Sequence, residues 1–267
     1  MSADLELAER AARAAGAVLM ERFGGPARGL GHKTSDTDLV SDADRAAEKV
    51  IRELLEAERP DDGLIAEEGS RQEASSGRRW VVDPLDGTVN FLYGMPHWAV
   101  SIGLEDGQEV TAGVVFDPTR EECFRAARGA GAELNGQPIR VREGQPLDRA
   151  MIATGFSYQP ERRAAQAEVA AGVLPEVRDI RRAGAAALDL AWLAAGRLDG
   201  YYERGLSPWD WAAGRLLVEE AGGAVVEMPG EPLGLVAASP ALLEPLCAAL
   251  GAEAPTRRGP AGSRPAS

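Results

Sequence analysis

The sequence predicts a layered α+β fold whose sheet is at least partly antiparallel. Segments with helical spacing and short apolar runs are mixed along the chain, without the strict β-α-β alternation of a purely parallel sheet. Several apolar runs follow one another directly across turn residues, as in antiparallel hairpins. With 267 residues, 45% of them hydrophobic, the chain can bury a substantial core as one large domain or two modest ones.

Residues 4–23 place Leu5, Ala8, Ala12, Ala15, Val18, Leu19 and Phe23 near helical spacing, and Gly24-Gly25-Pro26 stops that helix. A second helix begins near Ser41, with Ala47, Val50, Ile51, Leu54 and Leu55 as its apolar face, and ends at Pro60-Asp61-Asp62-Gly63. Strands are expected over 64–66, 80–82, 98–104 and 110–116, and a turn at 117–120 leads into another over 123–126. Residues 129–141 read as Gly-rich turns and 142–149 as a connector. The expected division is therefore an N-terminal α+β unit over 1–143 and an α/β unit over 144–251. The second half reads as a strand at 151–153, a helix through 163–172, a short strand at 178–181 and a helix over 185–195. Ser207 as N-cap and Pro208 at the first position open another helix that runs to Ala221. Strands at 224–228 and 235–238 and a helix over 240–250 complete the fold. Residues 252–267, rich in Pro, Gly, Ser and Arg, are expected to be disordered. No tandem repeat is visible.

Composition narrows the chemistry. The net charge of −13 repels nucleic acid and anionic lipid, so neither is an expected partner. No apolar run is long enough for a membrane helix, and the acidic N-terminus is not a secretory signal, which makes the cytoplasm the default location. The two cysteines, Cys123 and Cys247, lack zinc spacing and read as small buried hydrophobes. With only His32 and His97, a His-rich metal centre or phosphohistidine chemistry cannot be assembled. Arg128 stands at the wrong offset from Cys123 for a cysteine-phosphatase loop.

The sharpest segment is Trp80-Val81-Val82-Asp83-Pro84-Leu85-Asp86-Gly87-Thr88-Val89-Asn90-Phe91. An apolar strand runs into an acid, Pro84 ends the strand, and a second acid precedes Gly-Thr. A helix starting near Asp86 would point its first amides at an anion, beside two carboxylates and the Leu85 carbonyl, which are hard oxygen ligands suited to Mg²⁺. An ordinary turn with Asp at its corner accounts for the segment equally well. Other acids stand at comparable junctions: Glu67 and Glu68 after a strand, Asp44 in Ser41-Asp42-Ala43-Asp44, and Asp210 in the first turn after Ser207-Pro208. Each has a plain explanation, as a solvated loop, a helix cap or a dipole-favoured acid.

Together these segments resemble the inositol monophosphatase family. Asp83-Pro84-Leu85-Asp86-Gly87-Thr88 and Trp209-Asp210-Trp211-Ala212-Ala213-Gly214 are similar to its two main patterns. Ala66-Glu67-Glu68-Gly69 resembles its Gly-Glu-Glu element, with Ala in place of Gly, and 38–44 resembles its Asp-Leu-Val-Thr-x-x-Asp element. The resemblance implies an α-β-α-β-α sandwich, two or three Mg²⁺ ions, a homodimer, Li⁺ inhibition and a small phosphorylated polyol as substrate. It implies that Glu67, Asp83 and the Leu85 carbonyl hold one metal and that Asp83, Asp86 and Asp210 hold a second. Thr88 and Asp44 would orient the attacking water, with Glu67 touching a third ion through water. Gly87 and Thr88 would hold phosphate oxygens. Asp86, Ala185, Ala186 and Glu203 would contact substrate, and Lys33 would approach the phosphate side. One departure concerns the substrate: Gly184-Ala185-Ala186 has Ala where many inositol-type members carry Ser or Thr.

Such chemistry needs cations. Dianionic phosphate is repelled by clustered carboxylates, by about 4 kcal/mol per like-charge pair at ~4 Å and an effective dielectric near 20. Divalent ions reverse that sign and lower the pKa of a bound water, so no covalent phosphoenzyme is expected. A haloacid-dehalogenase-type phosphatase is the first rival, since Asp36-Thr37-Asp38-Leu39-Val40 fits its nucleophile pattern but follows no apolar strand. A dinucleotide enzyme is disfavoured because Gly129-Ala130-Gly131 lacks a third glycine. A non-catalytic regulator that kept the fold is another reading. Within the family, fructose 1,6-bisphosphate, histidinol phosphate and NADP(H) stand beside inositol monophosphate as candidate substrates.

Overall fold

The computed structural model describes residues 3–25, 42–107 and 109–251, together with the backbone of 31–32 and 39–40. Lys33, the Asp36–Asp38 motif, Ser41 and the tail 252–267 lie outside the described residues. The chain folds as helices α1 (Ala3–Met20) and α2 (Asp42–Glu58), with the short pair β1 (Gly31–His32) and β2 (Leu39–Val40) between them. An eight-stranded sheet follows, built from β3 (Gly63–Ala66), β4 (Arg71–Gln72), β5 (Arg78–Asp86), β6 (Ala99–Asp106), β7 (Glu109–Asp117), β8 (Glu122–Ala127), β9 (Gly131–Leu134) and β10 (Gln137–Pro138). A five-residue helix, α3 (Thr88–Leu92), interrupts it after β5. The sheet order is β10-β9-β8-β7-β6-β5-β3-β4, antiparallel except for the β3–β5 pair.

The second half supplies β11 (Met151–Thr154), α4 (Pro160–Val173), β12 (Asp179–Arg181), α5 (Ala186–Ala194), β13 (Gly200–Arg204), α6 (Pro208–Glu220), β14 (Ala224–Met228), β15 (Gly234–Ala238) and α7 (Pro240–Ala249). Its five strands run β12-β11-β13-β15-β14, parallel around β11 and antiparallel at β15.

Period-two alternation divides the eight-stranded sheet into two faces. Trp80, Val82, Val100, Ile102, Leu104 and Val114 pack against the apolar stripes of α1 and α2. Val81, Ala99 and Val115 face the other way, onto α5 and α6. Those two helices also meet the five-stranded sheet through Ala153, Tyr201 and Ala237. Ile152, Tyr202 and Val236 on its far face pack with Leu242 and Leu246 of α7. The order is α-β-α-β-α.

The middle layer is thin because small residues meet there. A Cβ on Gly113 would lie 3.0 Å from Ala213 Cα, and one on Gly103 would lie 3.2 Å from Ala212 Cβ. On the other side of α6, a Cβ on Gly214 would collide with Leu190 of α5 at 2.7 Å. The Ala212-Ala213-Gly214 run thus wedges α6 between the sheet and α5, which fixes where its first turn points.

Two local expectations need correction. Residues 129–141 are not turns alone: β9 and β10 form a hairpin around Asn135-Gly136, at φ 49° and 78°, the left-handed pair that a two-residue turn of the primed type requires. Pro84 does not end its strand, since β5 continues to Asp86 through a register shift against β6. The helix expected near Asp86 is present as α3, which opens at Thr88 after Gly87 turns the chain at φ 91°. Both cysteines are buried free thiols, as expected. No helix among the described residues is long and apolar enough to cross a membrane.

Candidate active site

The register shift in β5 decides the geometry of the acidic corner. In a regular strand Asp83 and Asp86, three apart, would face opposite sides. Asp83 pairs with Ser101 and Asp86 with Ala99, so Pro84 and Leu85 bulge out between them. A bulge re-aims the side chains that flank it, and proline is tolerated there because no ladder amide is lost. Both acids consequently line one cavity of about 310 Å³. Glu67, at the end of the parallel neighbour β3, lines it too, and so does Asp210 in the first turn of α6.

Each acid is anchored locally. The Leu85 amide donates to Asp83 Oδ1 at 2.9 Å. Asp210 forms a capping box with Ser207, whose amide donates to Asp210 Oδ2 at 2.7 Å. Asp86 serves a helix far along the chain: its carboxylate accepts the amides of Ala186, Ala187 and Leu188 at 3.0, 2.8 and 3.2 Å. The N-cap residue of α5, Ala185, has no capping side chain. The Asp86 carboxylate takes over that role and gains from the helix dipole. Glu67 is held indirectly by Glu48 of α2, which accepts the amides of Glu68 and Ser70 at 2.8 and 3.0 Å.

Electrostatically the corner is under tension. Burial, followed by repulsion from Glu67, Asp86 and Asp210, pushes the Asp83 carboxyl well above the usual carboxylate range. Burial lifts Asp86 to about 8 against the opposing pull of the α5 amides. Asp210 rises for the same reasons, burial first and then Glu67 and Asp86. Among the described residues, no three His, Cys, Asp or Glu side chains gather their donor atoms tightly enough to make a ready-formed metal shell. Asp83, Asp86 and Asp210 each accept backbone amides, and Asp83 also shares a hydrogen bond with the Glu67 carboxyl. The donor set fits Mg²⁺ in kind, with four carboxylates and the Leu85 carbonyl around one cavity, all hard oxygens.

Beside the acids, the Thr88 hydroxyl lies 3.0 Å from Asp44 Oδ1 and 3.1 Å from the Leu85 carbonyl. Asp44 is fully buried in α2. Further round the cavity, Tyr201 donates its hydroxyl to Glu203 Oε2 at 2.7 Å, and burial raises Glu203 to about 7 despite that bond. Gly155 leaves room for this carboxylate, since a Cβ there would lie 2.1 Å from it.

A model described as the inositol monophosphatase family matches residues 1–254. The chain belongs to this family. It is 48% identical over 200 residues to an inositol-1-monophosphatase of Rhizobium meliloti, covering 73% of this chain and 75% of that one. It is 47% identical over 222 residues to the Nus factor SuhB of Xylella fastidiosa, covering 83% and 80%. Among solved structures, the extragenic suppressor protein suhB of Bartonella henselae superposes with a TM-score of 0.88 at 40% identity, over 93% of this chain and 98% of that one.

Glu67, Asp83, Leu85, Asp86, Gly87, Thr88, Ala185, Ala186, Glu203 and Asp210 line the same cavity, and Asp44 stands behind Thr88. Lys33 lies outside the described residues. The Ala186 amide is engaged by Asp86. Sequence reasoning missed Glu48 and Asn90. An acid one turn after Asp44, on a helix whose buried stripe is otherwise Ala43, Ala47, Ile51 and Leu55, was the available signal for Glu48. Asn90 donates to the carbonyls of His97 and Ala183 at 2.7 and 2.8 Å, which ties the acidic corner to the loop entering α5.

Proposed function

We propose that this chain is a Mg²⁺-dependent phosphomonoesterase that hydrolyses inositol monophosphate by in-line attack of water, without a covalent phosphoenzyme. The observation that carries the reading is the bulge in β5, which turns Asp83 and Asp86 toward one cavity with Glu67 and Asp210. Glu67, Asp83 and the Leu85 carbonyl would hold one ion, and Asp83, Asp86 and Asp210 a second. The ions, when bound, supply the positive charge that offsets the buried carboxylates, draws the phosphate dianion and acidifies a water.

The chain's own groups do the positioning. Asp44 accepts the Thr88 proton, which leaves the Thr88 oxygen to take a hydrogen bond from the attacking water. Proton flow then runs from water to Thr88 and on to Asp44, a fully buried acceptor. Gly87 and Thr88, whose amides open α3 and lack partners one turn back, offer donors to phosphate oxygens. Glu203, held by Tyr201, faces the polyol hydroxyls. Ala185 offers no hydroxyl there, so polyol selection falls to Glu203 and the backbone. The homodimer, the ion count, Li⁺ inhibition and a cytoplasmic location belong to the same proposal.

Relatives named Nus factor SuhB favour a second reading, in which the fold has a non-catalytic role. The intact set of acids around Thr88 supports turnover instead. The test is phosphate release from inositol 1-phosphate with and without Mg²⁺, in the native chain and in Asp83→Asn. Mg²⁺-dependent release that falls at least about a hundredfold in Asp83→Asn is expected, because Asp83 would serve both ions. Release independent of Mg²⁺, or near-normal turnover in the variant, overturns the reading.

A further inference from the structure

The cavity carries more positive charge than the proposed hydrolysis of a simple polyol phosphate uses. Three arginines line it: Arg162 from the first turn of α4, Arg182 from the loop before α5, and Arg204 at the end of β13. Arg204 is committed to the backbone, donating to the carbonyls of Met228, Pro229 and Pro232. The other two are not. Among the described residues Arg162 makes no hydrogen bond or ion pair. Arg182 makes one long bond, 3.5 Å to the Phe156 carbonyl.

Arg71, Arg140, Arg149 and Arg178 also lack a side-chain partner among the described residues, but none of them lines this cavity, so what sets Arg162 and Arg182 apart is their place in it. Elsewhere Arg59 and Arg78 meet Asp4, Arg125 meets Glu9 and Arg197 meets Glu122. Arg182 is also given space. Its Nη1 would lie 2.3 Å from a Cβ on residue 184, and only glycine, at φ 89°, lets the guanidinium lie across that loop. The charge of Arg182 is felt by Glu203 and Asp189, yet it pairs with neither. The scissile phosphate, in the reading above, is served by the 83–88 corner and by bound cations, so it leaves these two guanidiniums unused.

We propose that Arg162 and Arg182 form a subsite for a second anionic group, so that the preferred substrate is a phosphate monoester carrying another phosphate or carboxylate. This rests on the phosphatase reading and moves its preferred substrate from inositol monophosphate to a compound with a second anionic group. Guanidinium groups bind phosphate and carboxylate through paired, charge-assisted hydrogen bonds, and exposed ones are available to an incoming ligand at little desolvation cost.

The test compares pairs that differ by one phosphate: inositol 1-phosphate with inositol 1,4-bisphosphate, and fructose 1-phosphate with fructose 1,6-bisphosphate. For the native chain with Mg²⁺, the bisphosphate of at least one pair is expected to show about tenfold higher kcat/KM, carried mainly by KM. In the double variant R162A/R182A that ratio falls to about one, and Arg182→Glu drives it below one. A native ratio of one for both pairs overturns the proposal, as does a ratio that survives in the double variant. Either result would mean that Arg182 only offsets Glu203 and Asp189. Calorimetric binding of the same compounds keeps the two readings apart. If neither pair is hydrolysed, the phosphatase reading fails. The arginine subsite then stands or falls on whether the bisphosphates bind more tightly to the native chain than to the double variant.

Discussion

Replacing Asn90 with alanine should loosen the join between the two halves of the site. The Asn90 amide is buried and gives its two protons to the His97 and Ala183 carbonyls. Alanine leaves both carbonyls without that donor, and an unsatisfied buried group costs about 1–3 kcal/mol. Some relief from relaxation or water brings the expected loss to about 2–4 kcal/mol. For a chain of this size that corresponds to a fall in Tm of roughly 5–12 °C. Asn90→Asp should be worse, because a carboxylate would face two carbonyl oxygens. The loop released at Ala183 leads into the α5 amides that hold Asp86, so the variant should also need more Mg²⁺ for half-maximal rate. Urea unfolding and a Mg²⁺ titration of phosphate release measure the two effects. A loss under about 0.5 kcal/mol, or an Asn90→Asp variant as stable as the native chain, would refute the reasoning.

Three further predictions follow from single contacts. Asp4 is held below the usual carboxylate range because, against its burial, Arg78 and Arg59 stabilise the charged form. Its contribution is therefore present above about pH 4 and lost as pH falls through the lowered folded value. Asp4→Asn should cost about 1 kcal/mol at pH 7 and nothing once the native carboxyl is protonated, as chemical denaturation across pH would show. Glu203, raised to about 7 chiefly by burial, acts with the opposite sign. Its contribution is fully present below the ordinary value of 4.5 and is lost progressively until the folded group ionises near 7, so Glu203→Gln should flatten the decline in stability between about pH 4.5 and 7. A decline of the same slope in the variant would count against that assignment. Gly113→Ala would press a methyl group within about 3 Å of α6, costing about 1–3 kcal/mol and lowering kcat by displacing Asp210. Unchanged stability would show that α6 is not wedged as described.

Much of this architecture is legible in the sequence where the signals are local. Ser207-Pro208 announces the start of α6 and with it the position of Asp210. The apolar stripes of α1 and α2 follow from spacing alone. The site is less legible where it depends on pairing across the fold. Pro84 looks like a strand terminator, and only the register against β6 shows a bulge that turns Asp86 to the same side as Asp83. The bond from Asp86 to the α5 amides joins distant segments, and nothing near either one advertises it. The placement of Arg182 depends on Gly184, where a side chain would collide with the guanidinium, and sequence alone does not show that packing.

The most direct test of the proposed metal corner is anomalous diffraction from crystals grown with Mn²⁺ in place of Mg²⁺. The account predicts peaks between Asp83 and its neighbours Glu67, Asp86 and Asp210, with the Leu85 carbonyl as a ligand and the Asp86 carboxylate shared with or drawn from the α5 amides. Crystals saturated with Mn²⁺ that show no peak in this cavity, or peaks only elsewhere on the surface, would contradict it.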